Sequence, residues 1–239
     1  MENRLSVVIP CYNEELNLPI IYERINALIM NRTDVEFILV NNGSKDNSQL
    51  VFDKLQQTTS NNMIKVVIVH ENKGYGYGIL KGLESASGDV LAWTHADLQT
   101  DIKDVLIAFE LYNKYQKNIF IKGKRKKRKV IEAFFTFGMQ LISFFVLGNY
   151  LDDINAQPKL FTRNFYKSKL LDNPPLDFSL DLFALYQAKN EKMKILEVPV
   201  FFRNRQFGTA KGGGGGFKAR INLIIRTFKY IFELKRRIA

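Results

Sequence analysis

Short groups of polar side chains follow three apolar stretches in the first hundred residues. The first group is Cys11-Tyr12-Asn13-Glu14, the second is Asn41-Asn42-Gly43-Ser44, and the third runs from His95 to Gln99. Carboxylate and amide oxygens can bind a divalent cation, and amides and hydroxyls can hydrogen-bond a nucleotide or a phosphate. These groups therefore indicate a substrate site.

A run of cations forms a second chemical feature. Every residue of 122–129 except Gly123 is Lys or Arg, and the aromatic, apolar segment 133–151 follows. Cations can hold an anionic head group while aromatic side chains meet a lipid tail, although the run can equally form a solvated loop. Because Gln140 interrupts the segment, it is marginal for a membrane span of roughly 20 residues. We predict a helix that lies in the membrane interface or packs on the core.

Predicted strands and helices alternate around the three polar groups. Continuous apolar runs predict strands, and apolar residues at helical spacing predict helices. The predicted strands are 5–10, 36–40, 65–69, 90–93 and 198–202, and the predicted helices are 14–30, 46–57 and 75–85. This alternation predicts an α/β fold with a mostly parallel sheet, in which ligands gather at the carboxyl ends of the strands.

Composition limits the classes of protein and of partner. The chain has 239 residues, of which 46% are hydrophobic, so it can form one large domain, and disorder is excluded. A single cysteine, Cys11, excludes a disulfide framework and a cysteine-rich zinc site, and we expect no signal peptide. The net charge of +11 indicates a nucleic acid, an anionic membrane surface or a phosphorylated substrate as partner. We recognise no nucleic-acid-binding motif and expect no nucleic acid partner.

The C-terminal segment 212–239 combines a glycine run with a basic amphipathic pattern. Five glycines at 212–216 predict a loop or hinge. The apolar stripe of the helix predicted after them consists of Phe217, Ile221, Ile224, Phe228 and Ile231, and basic residues surround it. Such a helix lies on an anionic bilayer, or it docks on the domain with its basic face in solvent.

An ordered set of motifs resembles glycosyltransferase family 2, in the branch of dolichol-phosphate mannosyltransferases and bacterial polyprenyl-phosphate sugar transferases. The motifs are SVVIPCYNE at 6–14, FILVNNGSKD at 37–46, NKG at 72–74, ADLQ at 96–99, GKR at 123–125, DINAQPKLF at 153–161 and EVPVFFRNRQFGTAK at 197–211. The resemblance implies a GT-A fold over residues 1–211. It divides into a nucleotide-sugar-binding half at about 1–121 and an acceptor-binding half at 122–211, with an interfacial helix near 130–151.

The resemblance also implies roles for individual residues. The nucleoside pocket would be lined by Pro10, Tyr12, Glu14, Leu39 and Asn41. Ala96, Asp97 and Gln99 would surround Mg²⁺ or Mn²⁺ and the diphosphate, and Arg125, Arg205 and Lys211 would grip phosphates. Asp153 falls on a family motif and is a further catalytic candidate.

Two positions depart from the usual family pattern. Asn41 stands where a carboxylate is usual, and His95 replaces the first aspartate of an Asp-Ala-Asp motif. His95 can bind the metal, contact a phosphate or the donor sugar, or fill space. An amide both donates and accepts hydrogen bonds, which complements uracil, whereas guanine favours a carboxylate. We therefore expect a UDP-sugar rather than a GDP-sugar as donor.

The expected reaction is an inverting, metal-dependent transfer to a polyprenyl phosphate on the cytoplasmic face of a membrane. A phosphate is already an anion, whereas a sugar hydroxyl needs a general base, for which the candidates are Asp153, Asp177 and Asp181. Transfer to a sugar hydroxyl is therefore the alternative activity. A silent membrane scaffold and a basic nucleic-acid-binding module are alternatives of other classes, and a homo-oligomer is compatible with all of them.

Overall fold

A computed structural model describes residues 3–58, 62–115, 118–126, 130–208 and 216–238. The elements in chain order are β1 (Leu5–Cys11), α1 (Leu18–Ile29), β2 (Val35–Asn42), α2 (Ser48–Thr58), β3 (Ile64–Val69), α3 (Tyr75–Glu84), β4 (Val90–Trp93), α4 (Lys103–Tyr115), β5 (Ile119–Lys126), α5 (Val130–Leu147), β6 (Lys159–Thr162), α6 (Arg163–Lys169), α7 (Ser179–Asn190), β7 (Lys194–Phe201) and α8 (Gly216–Ile238).

Seven strands form one sheet in the order β3-β2-β1-β4-β6-β5-β7. Strands β3, β2, β1 and β4 are parallel to one another, β6 runs antiparallel to both of its neighbours, and β5 and β7 are parallel. The predicted α/β fold with a mostly parallel sheet is confirmed. Every residue of β2 is buried, which explains why residues 37–40 at its centre form a continuous apolar run rather than an alternating one.

Helices cover both faces of the sheet. Alternate strand residues point to opposite faces, so each face carries apolar side chains that a layer of helices buries. On one face, Val7 and Ile9 pack with residues of α1 and α4. On the other face, Val8 and Trp93 pack with residues of α3, α6, α7 and α8. The two apolar cores hold the strand ends, and therefore the three polar groups, in fixed relative positions.

Several elements differ from the predicted ones. Helix α1 begins at Leu18 because residues 14–17 form a turn, in which the Asn17 N–H donates to the Glu14 carbonyl. Strand β7 is longer than predicted, and α4, β5, β6 and α6 were not predicted. Strand β5 was missed because its second half is the cationic run, whose composition indicates a loop.

Helix α8 docks on the domain. This is the second of the two alternatives predicted for it, the first being a helix that lies on an anionic bilayer. Its buried side chains are Thr227, Tyr230, Ile231 and Leu234, which face the α5 and α7 side of the sheet. Ile225 and Phe232 remain about half exposed, and Lys229 and Arg236 are exposed. Within the described ranges, no helix combines the length and the apolar composition needed to cross a membrane.

The two predicted halves are interleaved in the sheet. The expected boundary at 121/122 falls inside strand β5, and β6 lies between β4 and β5. Residues 212–215 of the predicted hinge and residue Lys211 lie outside the described residues.

Candidate active site

The predicted site lies where β1, β2 and β4 end at the same edge of the sheet. In register, Cys11 at the end of β1 pairs with Asn41 at the end of β2, and β4 lies on the other side of β1. The loops that follow β1 and β4 each contain a non-glycine residue with positive φ, Asn13 at 53° and Leu98 at 57°. Such conformations cost energy and concentrate at functional sites.

Hydrogen bonds between the β1 and β2 loops form one wall of the site. The Asn13 N–H donates to Ser44 Oγ at 3.0 Å, and the Lys45 N–H donates to Asn13 Oδ1 at 2.7 Å. The Glu14 N–H donates to Ser48 Oγ, also at 3.0 Å. The two loops are therefore held in place before any ligand binds.

A cleft of about 490 Å³ opens at this wall. Its lining residues are Tyr12, Gly43, Ser44, Lys45, His70, Glu71 and Asn72. Tyr12, predicted from the sequence for the nucleoside pocket, is one of them, whereas His70 and Glu71 were not among the predicted residues. The signal that could have found them is their position directly after β3, whose carboxyl end lies at the same edge of the sheet.

Other residues predicted for the nucleoside pocket lie deeper. Leu39 is fully buried in the core, and Ala96, predicted beside the metal, is also buried. Asn41 is buried too, where its Oδ1 accepts the Ser44 N–H and its Nδ2 donates to Gln49 Oε1. Pro10 is the sixth of the seven residues of β1 and half-buried. Of these predicted contacts, only Tyr12 belongs to the lining of the cleft.

Three charged side chains meet beside this wall. Arg205 Nη2 lies 3.4 Å from Glu14 Oε1 and 3.6 Å from Asp97 Oδ2. Arg205 comes from the loop after β7, which is tied to the β4 loop by two hydrogen bonds. The Arg203 N–H donates to the Gln99 carbonyl at 2.8 Å, and Gln99 Nε2 donates to the Arg203 carbonyl at 3.1 Å. The fold thus brings together Glu14, Asp97 and Arg205, which come from three separate sequence motifs, and Arg205 contacts both carboxylates.

The residues around Asp97 fit a divalent ion that arrives with a phosphate ligand. Among the described residues, no group of three or more His, Cys, Asp and Glu side chains could hold a metal. Mg²⁺ commonly keeps several waters and binds one or two carboxylates together with substrate phosphates. Asp97, half-buried with one oxygen accepting the Gln99 N–H, supplies such a carboxylate, and the Gln99 side-chain oxygen lies on the same loop.

His95 lies against an aromatic group rather than in a cluster of metal ligands. Its ring centroid is 5.5 Å from that of Tyr75, and Tyr75 stacks on Phe178 at 4.6 Å. Burial raises the pKa of Tyr75 well above its usual value. Gln157 Nε2 donates to the Tyr75 hydroxyl. His95 therefore borders a rigid aromatic wall on the α3 and α7 side of the site.

Asp153 holds Arg125 near the end of strand β5. Asp153 Oδ1 accepts Nε of Arg125 at 2.7 Å, and its Oδ2 accepts the Arg125 backbone N–H at 2.7 Å. Asp153 is buried and has positive φ, at 42°. The Arg125 guanidinium also lies 5.9 Å from the centre of the exposed Phe202 ring. Asp153 thus positions an arginine beside an exposed aromatic side chain.

Two other described cations of β5, Lys122 and Lys124, are paired with acidic side chains. Lys122 is fully buried, with its Nζ 3.2 Å from Asp152 and 3.0 Å from Glu197. Lys124 lies 2.7 Å from Glu197, which raises its pKa. The expectation that these lysines serve an anionic head group is therefore wrong for Lys122. Its acidic partners lie about 30 and 75 positions away along the chain and give no local signal.

Asp177 and Asp181 occupy different positions relative to helix α7. The helix begins at Ser179 and contains Asp181, whereas Asp177 lies two residues before it, where its Oδ1 accepts the Ser179 N–H. Asp181 is fully buried, and its carboxylate accepts Trp93 Nε1 and Gln157 Nε2. Both carboxylates therefore have structural partners.

Comparison with known proteins decides the family. The model of Glycosyl transferase family 2 matches residues 6–173, more than half of the chain. The chain belongs to this family. An undecaprenyl-phosphate 4-deoxy-4-formamido-L-arabinose transferase of Proteus mirabilis is 26% identical, over 87% of this chain and 63% of its own length. Human dolichyl-phosphate beta-glucosyltransferase is 26% identical, over 82% of this chain and 66% of its own length. The family 2 chain thus spans slightly less than two thirds of each relative.

Solved structures confirm the GT-A fold. Glucosyl-3-phosphoglycerate synthase of Mycobacterium tuberculosis, in complex with UDP, has a TM-score of 0.75 at 15% identity, covering 98% of this chain and 80% of that one. The same synthase was also solved with Mn²⁺ or Mg²⁺ and UDP. A mannosyltransferase of Pyrobaculum calidifontis, in complex with GDP-Man and Mn²⁺, has a TM-score of 0.65 at 15% identity, covering 87% and 59%.

Proposed function

We propose that this family 2 chain transfers a sugar from a nucleoside diphosphate-sugar to a polyprenyl phosphate, with inversion at the anomeric carbon. The observation that carries the proposal is the position of Arg205. It comes from the loop after β7 and lies 3.6 Å from Asp97 at the end of β4, beside the cleft that contains Tyr12. A carboxylate and an arginine at a strand edge suit a metal-bound diphosphate.

In this proposal the nucleoside diphosphate-sugar lies along the sheet edge at which β1, β2 and β4 end. The base enters the cleft at Tyr12, and the diphosphate extends toward Asp97 and Arg205. Mg²⁺ or Mn²⁺ bound at Asp97 would screen the charge of the leaving diphosphate. Arg205 would pair with phosphate oxygens and hold them in line with the bond that breaks. Lys211 is a further phosphate ligand in the proposal, carried over from the family motif alone.

The acceptor side favours a phosphate over a sugar hydroxyl. A hydroxyl acceptor needs a carboxylate that is ready to take its proton. Asp153 is hydrogen-bonded to Arg125, Asp177 accepts the Ser179 N–H and lies 3.6 Å from Arg226, and Asp181 accepts hydrogen bonds from two buried side chains. None of these three arrangements is that of a general base.

Arg125 and Phe202 suit a lipid phosphate in particular. Arg125 offers its guanidinium to an anion, and Phe202 exposes an aromatic ring beside it. Phe201 and Phe207 on the same segment are also exposed, so apolar area is present next to the cation. In the proposed reaction an acceptor phosphate oxygen attacks the anomeric carbon, and the bond to the nucleoside diphosphate breaks on the opposite side. Similar proteins named for undecaprenyl or dolichyl phosphate support this acceptor class.

Uridine stays the favoured base, on the basis of the hydrogen-bonding capacity of Asn41. An amide nitrogen carries two hydrogens and an amide oxygen two lone pairs, and the Gln49 and Ser44 bonds use one of each. The preference therefore rests on the amide type of residue 41, which complements uracil where a carboxylate would favour guanine, and not on a contact in the cleft, because Asn41 is buried. The fold itself does not decide the base, because proteins that share it bind UDP or GDP-Man.

The proposed location is the cytoplasmic face of a membrane, with peripheral attachment. Helix α8 offers exposed Lys229 and Arg236 on the side opposite to its buried residues, with Ile225 and Phe232 next to them on the same side. A mixed apolar and cationic surface of this kind binds anionic lipid surfaces. Helix α5 adds the exposed Phe144 and Phe145.

The test is a transfer assay on purified protein with Mn²⁺ or Mg²⁺, a panel of UDP- and GDP-sugars, and a short polyprenyl phosphate. We expect release of nucleoside diphosphate that depends on the lipid and on one donor, with the glycosylated lipid detected by mass spectrometry. Release only with an oligosaccharide acceptor would move the function to hydroxyl transfer. If the protein neither releases nucleoside diphosphate nor binds a nucleotide, the proposed function is wrong and the silent membrane scaffold becomes the favoured alternative.

A further inference from the structure

Arg205 occupies a position that a metal ion would also seek. Its guanidinium lies between two carboxylates, Glu14 at 3.4 Å and Asp97 at 3.6 Å, and its side chain is only 16% exposed. Glu14 is itself buried, and its second oxygen accepts Asn17 Nδ2 at 2.5 Å. The two carboxylates thus face one cation from the far end of the chain.

The contact between Arg205 and Asp97 opposes metal binding at Asp97. A cation near a carboxylate lowers the affinity of that carboxylate for a second cation, most strongly where solvent is partly excluded. A nucleoside diphosphate removes this conflict, because its oxygens offer Arg205 a new anionic partner. Glu14 gives Arg205 a second partner that does not have to move.

We propose that Arg205 is an exchangeable counter-ion for Asp97 and that Glu14 is the residue that positions it. Without donor, Arg205 neutralises Asp97 and weakens the binding of metal alone. When the donor arrives, Arg205 turns to the diphosphate while staying beside Glu14, and Asp97 becomes available to the metal. Metal and donor then bind cooperatively, each raising the affinity for the other by the same factor. This inference rests on the proposed donor site.

Substitutions of Arg205 and Glu14 should change the affinity for Mn²⁺ in the absence of donor in opposite directions. Replacing Arg205 by Gln removes the competing charge, so Mn²⁺ alone should bind tighter. Replacing Glu14 by Gln leaves Asp97 as the sole carboxylate of this pair facing Arg205, so Arg205 holds Asp97 more firmly and Mn²⁺ alone should bind weaker. A merely structural role of the three residues would not give opposite signs.

The experiment measures free Mn²⁺ by electron paramagnetic resonance during titration of the full chain, with and without UDP, and measures UDP binding by calorimetry. For Arg205→Gln we expect about fivefold tighter Mn²⁺ binding without UDP, and about tenfold weaker UDP binding. For Glu14→Gln we expect Mn²⁺ alone to bind at least about twofold weaker, with a smaller change when UDP is present. Melting curves establish that each variant is folded.

Arg203→Gln is the matched control. It removes the same charge from the same loop, but the Arg203 side chain is 63% exposed and its acidic neighbour is Asp101, at 3.7 Å. Mn²⁺ affinity should stay within about twofold of the wild type, because an exposed pair is screened by solvent.

The outcomes separate this inference from the proposed function. If the wild type binds UDP but Arg205→Gln leaves the affinity for Mn²⁺ alone unchanged, the counter-ion exchange is wrong while the donor site stands. If Glu14→Gln tightens the binding of Mn²⁺ alone, the positioning role is wrong. If the wild type binds neither UDP nor Mn²⁺, the proposed function fails and this inference fails with it.

Discussion

The two sides of the site hold their charges in different ways. On the donor side, Glu14, Asp97 and Arg205 meet at 3.4 and 3.6 Å, distances longer than those of tight ion pairs, next to an open cleft. On the acceptor side, Lys124 and Glu197 lie 2.7 Å apart, and Arg125 and Asp153 lie 2.6 Å apart. The proposed donor side thus holds its three charges at longer distances beside an open cleft, while the proposed acceptor side contains shorter ion pairs.

This difference shows that a run of cations along the sequence is not a cationic surface. In a strand, successive side chains point to opposite faces of the sheet, so a basic run is divided between two environments. In β5, Lys122 points into the protein among acidic partners, and Lys124, two residues later, has the same partners. Arg125 points to the other face and is the residue that stays at the site.

The largest expected effect comes from Asp97 on the donor side. Asp97→Asn keeps the size of the side chain and an oxygen that can accept the Gln99 N–H, but removes the charge offered to the metal. Turnover should fall by about 10²–10³-fold, the scale of losing a preorganised electrostatic group. The measurement is steady-state turnover with a melting curve. Turnover within about threefold of the wild type would remove Asp97 from the site.

Glu36 lies away from both sides of the site, so it serves as the reference for a charged residue with a purely structural role. Glu36 is fully buried at the opposite end of the strands, where Ser6, Ser87 and Lys65 contact its carboxylate. Burial by itself would raise the pKa of Glu36, but the hydrogen bonds from Lys65, Ser6 and Ser87 outweigh it and lower the pKa to about 2. Because the folded-state pKa lies below the ordinary value near 4.5, this carboxylate stabilises the fold above pH 4.5.

Glu36→Gln should therefore destabilise the fold at pH 7 by about 3 kcal/mol, with no loss of turnover per folded molecule. The difference in unfolding free energy between wild type and variant should shrink as pH falls from 4.5 toward about 2. Urea denaturation at a series of pH values measures it. A difference that stays constant over this range would show that hydrogen-bond geometry, rather than charge, accounts for the effect.

The smallest expected effects compare two neighbours in β5. Arg125→Gln removes the cation beside Phe202 and should lower turnover by about tenfold or more, with a raised KM for the lipid phosphate. Lys124→Gln removes a charge from the same strand, but one that is paired with Glu197. Its turnover should stay within about twofold of the wild type, since partly exposed pairs contribute little. Equal losses in both variants would mean that the ion pairs of β5 do not separate the roles of the two residues.

Much of the fold could be predicted from the sequence because β1, β2 and β4 are buried on both faces and the edge strand β3 is apolar apart from Lys65. Their continuous apolar runs, alternating with amphipathic helices, determine the α/β class, and the order of motifs indicates the family. Strands β5 and β6 could not be predicted from pattern. One contains a cationic run, and the other is four residues long and pairs antiparallel with partners far along the chain.

The candidate site was predictable where it follows strand ends and not where it depends on long-range packing. Tyr12, Asp97 and Gln99 follow β1 and β4, so their convergence could be expected. The contact of Glu14 with Arg205 joins residues 191 positions apart and has no local signal. The burial of Lys122 is set by Asp152 and Glu197, which the sequence places in other elements.

The place of β6 between β4 and β5 has a consequence for biosynthesis. As the chain leaves the ribosome, β4 is complete long before β6, since β4 ends at Trp93 and β6 begins at Lys159. At about 5–20 residues per second, one edge of the nascent sheet waits roughly three to thirteen seconds for its neighbour. During that time the N-terminal portion exposes an unpaired apolar strand, the kind of surface that chaperones cover. Slower translation between these two strands therefore prolongs the exposure of β4 without changing the stability of the finished fold.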